Sequence, residues 1–110
     1  MKSITDLYVH ENCNFTNTFN GNTTLEILIF REGSVIGKSI SLASSSKLTA
    51  ESAISVISHL KNLVEAGTQG SATVTFHANV WTLLDADTSY PEGETSWRTY
   101  ITNTLGWNLA

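Results

Sequence analysis

Residues 49–67 read TAESAISVISHLKNLVEAG, and this stretch decides the predicted fold. Its apolar residues recur at the three- and four-residue spacing of one helical face. Those residues are Ala53, Val56, Ile57, Leu60, Leu63 and Val64. Thr49 offers an N-cap hydroxyl, and Gly67 suits the position that follows the last helical residue. The pattern predicts one long helix over 50–66.

Three antiparallel strands are predicted before this helix. The Asn-Gly pair at 20–21 tolerates the positive φ angles of a type I′ turn, so it predicts a hairpin between strands at 13–19 and 23–31. Apolar residues on both faces of the second strand indicate a central position in the sheet. A half-buried strand over 35–43 completes the meander, and residues 4–9 are a candidate for a further strand.

After the helix, alternation over 72–78 predicts a fourth strand, and Asn79 is placed to cap a short helix. An acidic loop follows at 85–94. The segment 97–105 fits both a helix and a strand, and we favour the helix. The predicted fold is a single α+β domain over 1–110. In it, an antiparallel sheet of about four strands carries one long helix on one face and a short C-terminal helix.

The composition limits the classes of partner. Six basic residues against ten acidic residues give a net charge of −4, and only 15% of the residues are charged. Nucleic-acid binding needs a clustered basic surface, whereas the basic residues here are scattered along the chain. No basic amphipathic segment or signal-peptide core is present. We therefore expect no nucleic-acid partner and no membrane partner, and we expect synthesis in the cytoplasm.

Reactive side chains are few and dispersed. Cys13 is the only cysteine, so no intrachain disulfide is possible. His59 shares the polar side of the predicted helix with Ser52 and Ser55, and His77 projects from a predicted strand. The sequence has no metal-ligand spacing, Gly-rich phosphate loop or Gly-x-Ser-x-Gly motif. An enzyme would need Cys13, His59 or His77 to meet a carboxylate in a pocket. We predict a non-enzymatic protein without cofactor or metal.

The acidic loop is similar to the start of a calcium-binding loop. Residues 85–89 read DADTS, with oxygen-bearing side chains at alternate positions. An EF-hand loop then needs Gly at its sixth position and Glu at its twelfth, where this chain has Tyr90 and Ser96. We favour a solvated acidic loop over a weak cation site, and the sequence leaves both open.

Large aromatic side chains are concentrated in residues 81–110, at Trp81, Tyr90, Trp97, Tyr100 and Trp107. Such side chains supply much of the contact energy at protein interfaces. The alternative is a C-terminal subcore on the sheet, which we favour for Trp81 and Trp97. Trp107 and Leu109 follow the predicted helix stop, in a segment that frays unless something holds it. The predicted interface consists of Tyr90, Trp97, Tyr100, Trp107 and Leu109.

These features favour two hypotheses for the function. The leading one is a self-associating structural or assembly subunit of the kind found in bacteriophage particles, with the virion as its location. Few charges, abundant Ser, Thr and Asn, and the aromatic tail motivate it. The alternative is a small inhibitor or adaptor that binds a larger heterologous protein through the acidic loop and the C-terminal aromatics. The expected partners are copies of the chain itself or another protein.

Overall fold

The computed structural model describes residues 2–15 and 17–110 and has a mixed α+β fold. The elements are β1 (Ser3–Leu7), β2 (Ile27–Phe30), β3 (Ile40–Leu42), α1 (Ala50–Ser58), β4 (Thr73–Phe76), α2 (Ala78–Ala86), α3 (Trp97–Thr99), a π-helix (Tyr100–Thr104) and β5 (Asn108–Leu109). The π-helix continues α3 directly, so the favoured helical form of this segment is present. No helix within the described ranges is long and apolar enough to cross a membrane.

The strands form two small parallel sheets, so the predicted antiparallel sheet of four strands is wrong. β1 pairs with β2, and a separate sheet has the order β3, β4, β5. Parallel neighbours need crossover connections of a dozen or more residues. Residues 8–26 connect β1 to β2, and α1 lies in the connection from β3 to β4. The chain therefore uses its longest connections as crossovers rather than as hairpins.

The Asn-Gly pair does not form the predicted hairpin. Residues 17–21 make tight turns instead. Phe15 and Phe19, predicted on one face of a strand, are buried in the core with their ring centroids 6.2 Å apart. The predicted strand at 13–19 is therefore wrong over the residues that the structure describes, and residue 16 lies outside them. Burial of the two rings holds this segment against the core as a loop.

The predicted long helix is wrong in its second half, because α1 ends at Ser58 rather than continuing over 50–66. Beyond Ser58 the chain pairs with Ile36 in a parallel bridge. The Ile36 N–H donates to the His59 carbonyl at 2.8 Å, and the Lys61 N–H donates to the Ile36 carbonyl at 2.9 Å. These contacts replace the bonds that a continuing helix would make four residues back. The helical periodicity thus extends past the helix itself.

The polar side of α1 covers the outer edge of β2. Thr49 caps the helix as predicted, since its side chain accepts a bond from the Ser52 N–H at 3.2 Å. Ser52 Oγ accepts the Leu28 N–H at 2.9 Å, and Ser55 Oγ accepts the Phe30 N–H at 3.3 Å. Helix hydroxyls therefore occupy the positions where a further strand would pair, and the first sheet ends at β2.

The three-stranded sheet has one apolar face and one polar face. The core face carries the buried side chains of Ile40, Leu42, Val74 and Phe76. The opposite face is half-buried and carries Ser41, Thr73 and Thr75. Parallel sheets are usually covered on both faces. The polar face of this sheet instead forms the floor of an open cleft.

Candidate interaction site

The open edge of β1 is the candidate interaction site. The Lys2 carbonyl accepts the Ile27 N–H at 3.2 Å, and Ile4 lies in the same ladder, so both residues face β2. Successive residues of a strand face opposite sides, so the backbone groups of Ser3 and Thr5 point away from β2. Over residues 2–15 and 17–110, neither of these two residues has a backbone partner on that side.

The two edges of this sheet are treated differently by the fold. At the β2 edge, the N–H groups of Leu28 and Phe30 are accepted by serine hydroxyls of α1. At the β1 edge, Ser3 and Thr5 are exposed, and no described element pairs with their outward side. A strand with open N–H and C=O groups is a template for pairing with another chain. The first sheet therefore has one closed edge and one that remains available.

A bulge at Asp6 limits the length of the open edge. The φ angle of Asp6 is 61°, and the register of β1 against β2 shifts between Ile4 and Leu7. Asp is one of the few residues besides Gly that tolerate this left-handed region. The Arg31 guanidinium donates to both carboxylate oxygens of Asp6, at 2.8 and 2.9 Å, and these bonds lower the pKa of Asp6. The regular open edge therefore ends at Thr5.

Three of the predicted interface residues form an aromatic cluster within the chain. Trp97 is 4% exposed and contacts the rings of Tyr90 and Tyr100 edge-on, with centroids 6.2 and 6.0 Å away. Its indole N–H donates to the Asp87 carboxylate at 3.1 Å. Burial, followed by the nearby charge of Glu94, raises the pKa of Tyr100. The cluster has the form of the C-terminal subcore, and an interface role for these residues stays a prediction.

The other two predicted interface residues also contact the fold. Trp107 is 1% exposed, and its indole N–H donates to the Lys61 carbonyl at 2.8 Å. Leu109 is half-buried in β5, where it is the partner of Val74. These contacts hold the segment against the rest of the chain. A role of Trp107 and Leu109 in an interface likewise stays a prediction.

The carboxylates at the start of the acidic loop bond to side chains of the same chain. Arg98 donates to both oxygens of Asp85, at 2.9 and 3.1 Å, which lowers the pKa of Asp85, and its guanidinium lies 4.4 Å from the centre of the Trp81 ring. Asp87 accepts bonds from the side chain and backbone of Ser89, which lower its pKa. Among the described residues, no group of three or more His, Cys, Asp or Glu could hold a metal ion.

The candidate nucleophile and bases make local contacts. Cys13 Sγ accepts a backbone N–H at 3.3 Å, and His59 Nδ1 lies 3.0 Å from the Ser34 carbonyl oxygen. His77 Nδ1 accepts the Asn79 N–H at 3.0 Å, so His77 rather than Asn79 caps α2. In the part of the chain that the structure describes, none of the three bonds to a carboxylate. Each of these three side chains instead contacts a backbone group.

One cavity of about 230 Å³ lies on the polar face of the three-stranded sheet, and a second of about 320 Å³ adjoins it. They share Ser39, and the second also contains Lys38. The first is lined by Phe15, Asn17, Asn20, Ser39, Ile40, Ser41, Thr73 and Thr75. Its hydroxyl and amide groups can form hydrogen bonds, but these residues include no nucleophile beside a base. The cleft thus offers hydrogen-bonding groups on a polar floor.

No protein-family model, curated protein or solved structure matches this chain. Sequence reasoning identified a candidate strand at 4–9 but did not identify its edge. One signal could have done so, because residues 2–6 read KSITD, in which opposite charges flank a short β-prone segment. Short strands flanked by charges are typical of sheet edges.

Proposed function

We propose that this protein is a non-enzymatic subunit that self-associates, with further copies of the chain as its partner. The observation that carries the proposal is the open edge of β1. Ser3 and Thr5 direct their N–H and C=O groups outward, whereas α1 closes the opposite edge of the same sheet. Water satisfies such groups in a monomer, and a further strand satisfies them in an assembly.

The surroundings of the reactive side chains support a non-enzymatic role. His59 and His77 each use Nδ1 in a contact with the backbone. Asp85, at the end of α2, bonds to Arg98, and Asp87, just after the helix, bonds to Ser89 and Trp97. Through these contacts the histidines and aspartates cap a helix or fix a loop.

The ion pairs support a protein partner rather than a nucleic acid. Four of the basic side chains form ion pairs within the described ranges: Lys2, Arg31, Lys61 and Arg98. Arg31 and Arg98 each make two bonds to a carboxylate, which a phosphate would have to replace. A location in a bacteriophage particle is proposed from composition alone, and mass spectrometry of purified particles from the source would test it.

The alternative is a small inhibitor or adaptor, in which a strand of a heterologous protein pairs with the same edge. Several loop carboxylates are occupied within the chain, which leaves Glu92 as the exposed acidic group of that loop without a described partner. A charged docking patch in the loop therefore has less support than the edge of β1. This alternative predicts a monomer in isolation and a stable complex with one other protein.

The test of the proposed function is sedimentation equilibrium of the full chain over a wide concentration range that reaches the millimolar. We expect the average mass to rise above the 12.0 kDa of one chain as the concentration increases. A short strand edge is a small interface, so we expect weak association that becomes detectable only at high concentration. A mass of one chain at every concentration would exclude the proposal.

A further inference from the structure

We infer that the second copy pairs through its own β1, antiparallel to the first, about a two-fold axis that passes beside Ile4. The inference rests on the proposed self-association and names its interface. A two-fold axis places the same surface on both sides of the contact. The residues 2–6 must therefore be complementary to themselves when read in opposite directions.

The backbone of this edge meets that condition. With Ile4 opposite Ile4 of the second copy, Ser3 lies opposite Thr5 and Thr5 lies opposite Ser3. Both are the residues whose N–H and C=O groups face outward. Directly opposed residues of this kind exchange two hydrogen bonds in an antiparallel ladder. The arrangement therefore satisfies every outward backbone group of Ser3 and Thr5 in both copies.

The side chains are complementary in the same register. Ile4 is half-buried and lies beside the fully buried Leu28, so Ile4 of the two copies would extend the apolar face across the axis. Lys2 of one copy lies at the end of the pair where the bulge of the other copy carries Asp6. Lys2 is paired with Glu26 at 3.7 Å, an exposed ion pair of the kind that is individually weak. The ammonium group of Lys2 can therefore also face the acidic end of the second copy.

The same features disfavour other partners. Charged side chains and bulges are devices that protect edge strands from indiscriminate pairing. Here the bulge at Asp6 stops a longer strand from continuing the ladder, and Lys2 favours a partner that carries a carboxylate near the end of the pair. A partner that carries the segment KSITD in the opposite direction meets both constraints. The edge is thus selective for a second copy of this chain.

The first test compares Thr5→Pro with Thr5→Val by sedimentation equilibrium. Proline removes the outward N–H of Thr5 but no bond to β2, whereas valine keeps the N–H and the branched shape. Each dimer would lose two hydrogen bonds, so we expect Thr5→Pro to weaken self-association by at least about tenfold. Thr5→Val should associate like the wild type.

The outcomes separate the inference from the proposed function. A wild-type chain that stays monomeric overturns both. Self-association that Thr5→Pro leaves unchanged overturns the paired edge and leaves the proposed function in place. Circular dichroism establishes whether Thr5→Pro is folded. If it is not, the cysteine variants described next test the pairing of β1 with β1.

The second test uses cross-linking in a Cys13→Ser background with oxidised glutathione as the oxidant. Ile4→Cys should form a disulfide-linked dimer, because opposed residues at a non-hydrogen-bonded position have Cα atoms roughly 4.5 Å apart, within disulfide range. Ser3→Cys is the matched control, since residue 3 opposes residue 5 and points to the other face. Failure of Ile4→Cys to cross-link, or equal cross-linking by Ser3→Cys, overturns the inference.

Discussion

Three serines, Ser34, Ser45 and Ser52, are buried among the apolar side chains. Each hydroxyl has a backbone partner: Ser34 Oγ accepts the Val9 N–H at 3.2 Å, and Ser45 Oγ donates to the Asn22 carbonyl at 3.0 Å. A buried hydroxyl is costly only when it lacks a hydrogen bond. Among the described residues, every buried side-chain nitrogen and oxygen has one. Serine in this chain therefore contributes to the interior as well as to the surface.

At the residue scale, we expect Trp107→Ala to lower the free energy of unfolding by about 3–5 kcal/mol, because it removes a buried ring. Trp107→Phe should cost about 1–3 kcal/mol, since it keeps the apolar contact but leaves the Lys61 carbonyl without its donor. Urea denaturation measures both changes. Leu83→Ala, at a side chain that is 45% exposed, is the control. If Trp107→Ala were as stable as Leu83→Ala, the burial of Trp107 in the core would be contradicted.

At the scale of elements, α1 determines where the first sheet ends. The Thr49 N–H donates to the Glu26 carbonyl at 2.9 Å, beside the bonds from Leu28 to Ser52 and from Phe30 to Ser55. Residues 49–55, about two helical turns, therefore satisfy groups of alternate residues along the edge of β2. A polar helix face can thus be a packing face when it meets backbone rather than side chains.

We expect Ser52→Ala to destabilise the protein by about 1–3 kcal/mol, because it leaves the buried Leu28 N–H without an acceptor. Ser58→Ala is the matched control on the same helix, where the hydroxyl is exposed and bonds to the Ile54 carbonyl. Its effect should stay within about 0.5 kcal/mol. Hydrogen exchange of the Leu28 amide should also accelerate in Ser52→Ala. Equal losses of stability in Ser52→Ala and Ser58→Ala would show that the Ser52 hydroxyl does not close the edge of β2.

At the scale of the whole molecule, hydrogen bonds and ion pairs join segments that are distant in sequence. Asp6 and Glu11 bond to Arg31 and Lys61 respectively, and these bonds lower the pKa of each carboxyl. Asp87 is lowered in pKa by Ser89 and by the Trp97 indole. A carboxyl whose pKa is lower in the folded state stabilises the fold above its unfolded pKa. That contribution is lost as the pH falls through the folded value.

The melting temperature of the wild type should therefore fall as the pH drops below about 4. Asp87→Asn should melt below the wild type at neutral pH, and the difference should close under acid, when the wild-type carboxyl is also protonated. Glu92→Gln is the control, since Glu92 is exposed and without a described partner, and it should follow the wild type at every pH. Thermal scans across pH measure this. A difference for Asp87→Asn that does not change with pH would contradict the role of its charge.

Local signals predicted the features that depend on neighbours in sequence. Thr49 caps α1, and β4 at Thr73–Phe76 lies inside the predicted strand, because capping and alternation involve residues within a few positions. The mixed α+β class is confirmed for the same reason. The open edge of β1 was not predicted, although its segment was a candidate strand. Which side of a strand remains open depends on its neighbours in the sheet.

Composition and periodicity by themselves determined which segments carry apolar faces and where a helix begins. The tertiary structure decided strand direction, the end of α1 and the burial of Trp107. Each of these depends on groups far apart in the chain: the Trp107 indole meets a carbonyl 46 positions away, and Ser52 meets an N–H 24 positions away. A local sequence pattern cannot predict such a contact. Each group is hydrogen-bonded to water in the unfolded chain, and the two groups meet only when the chain folds.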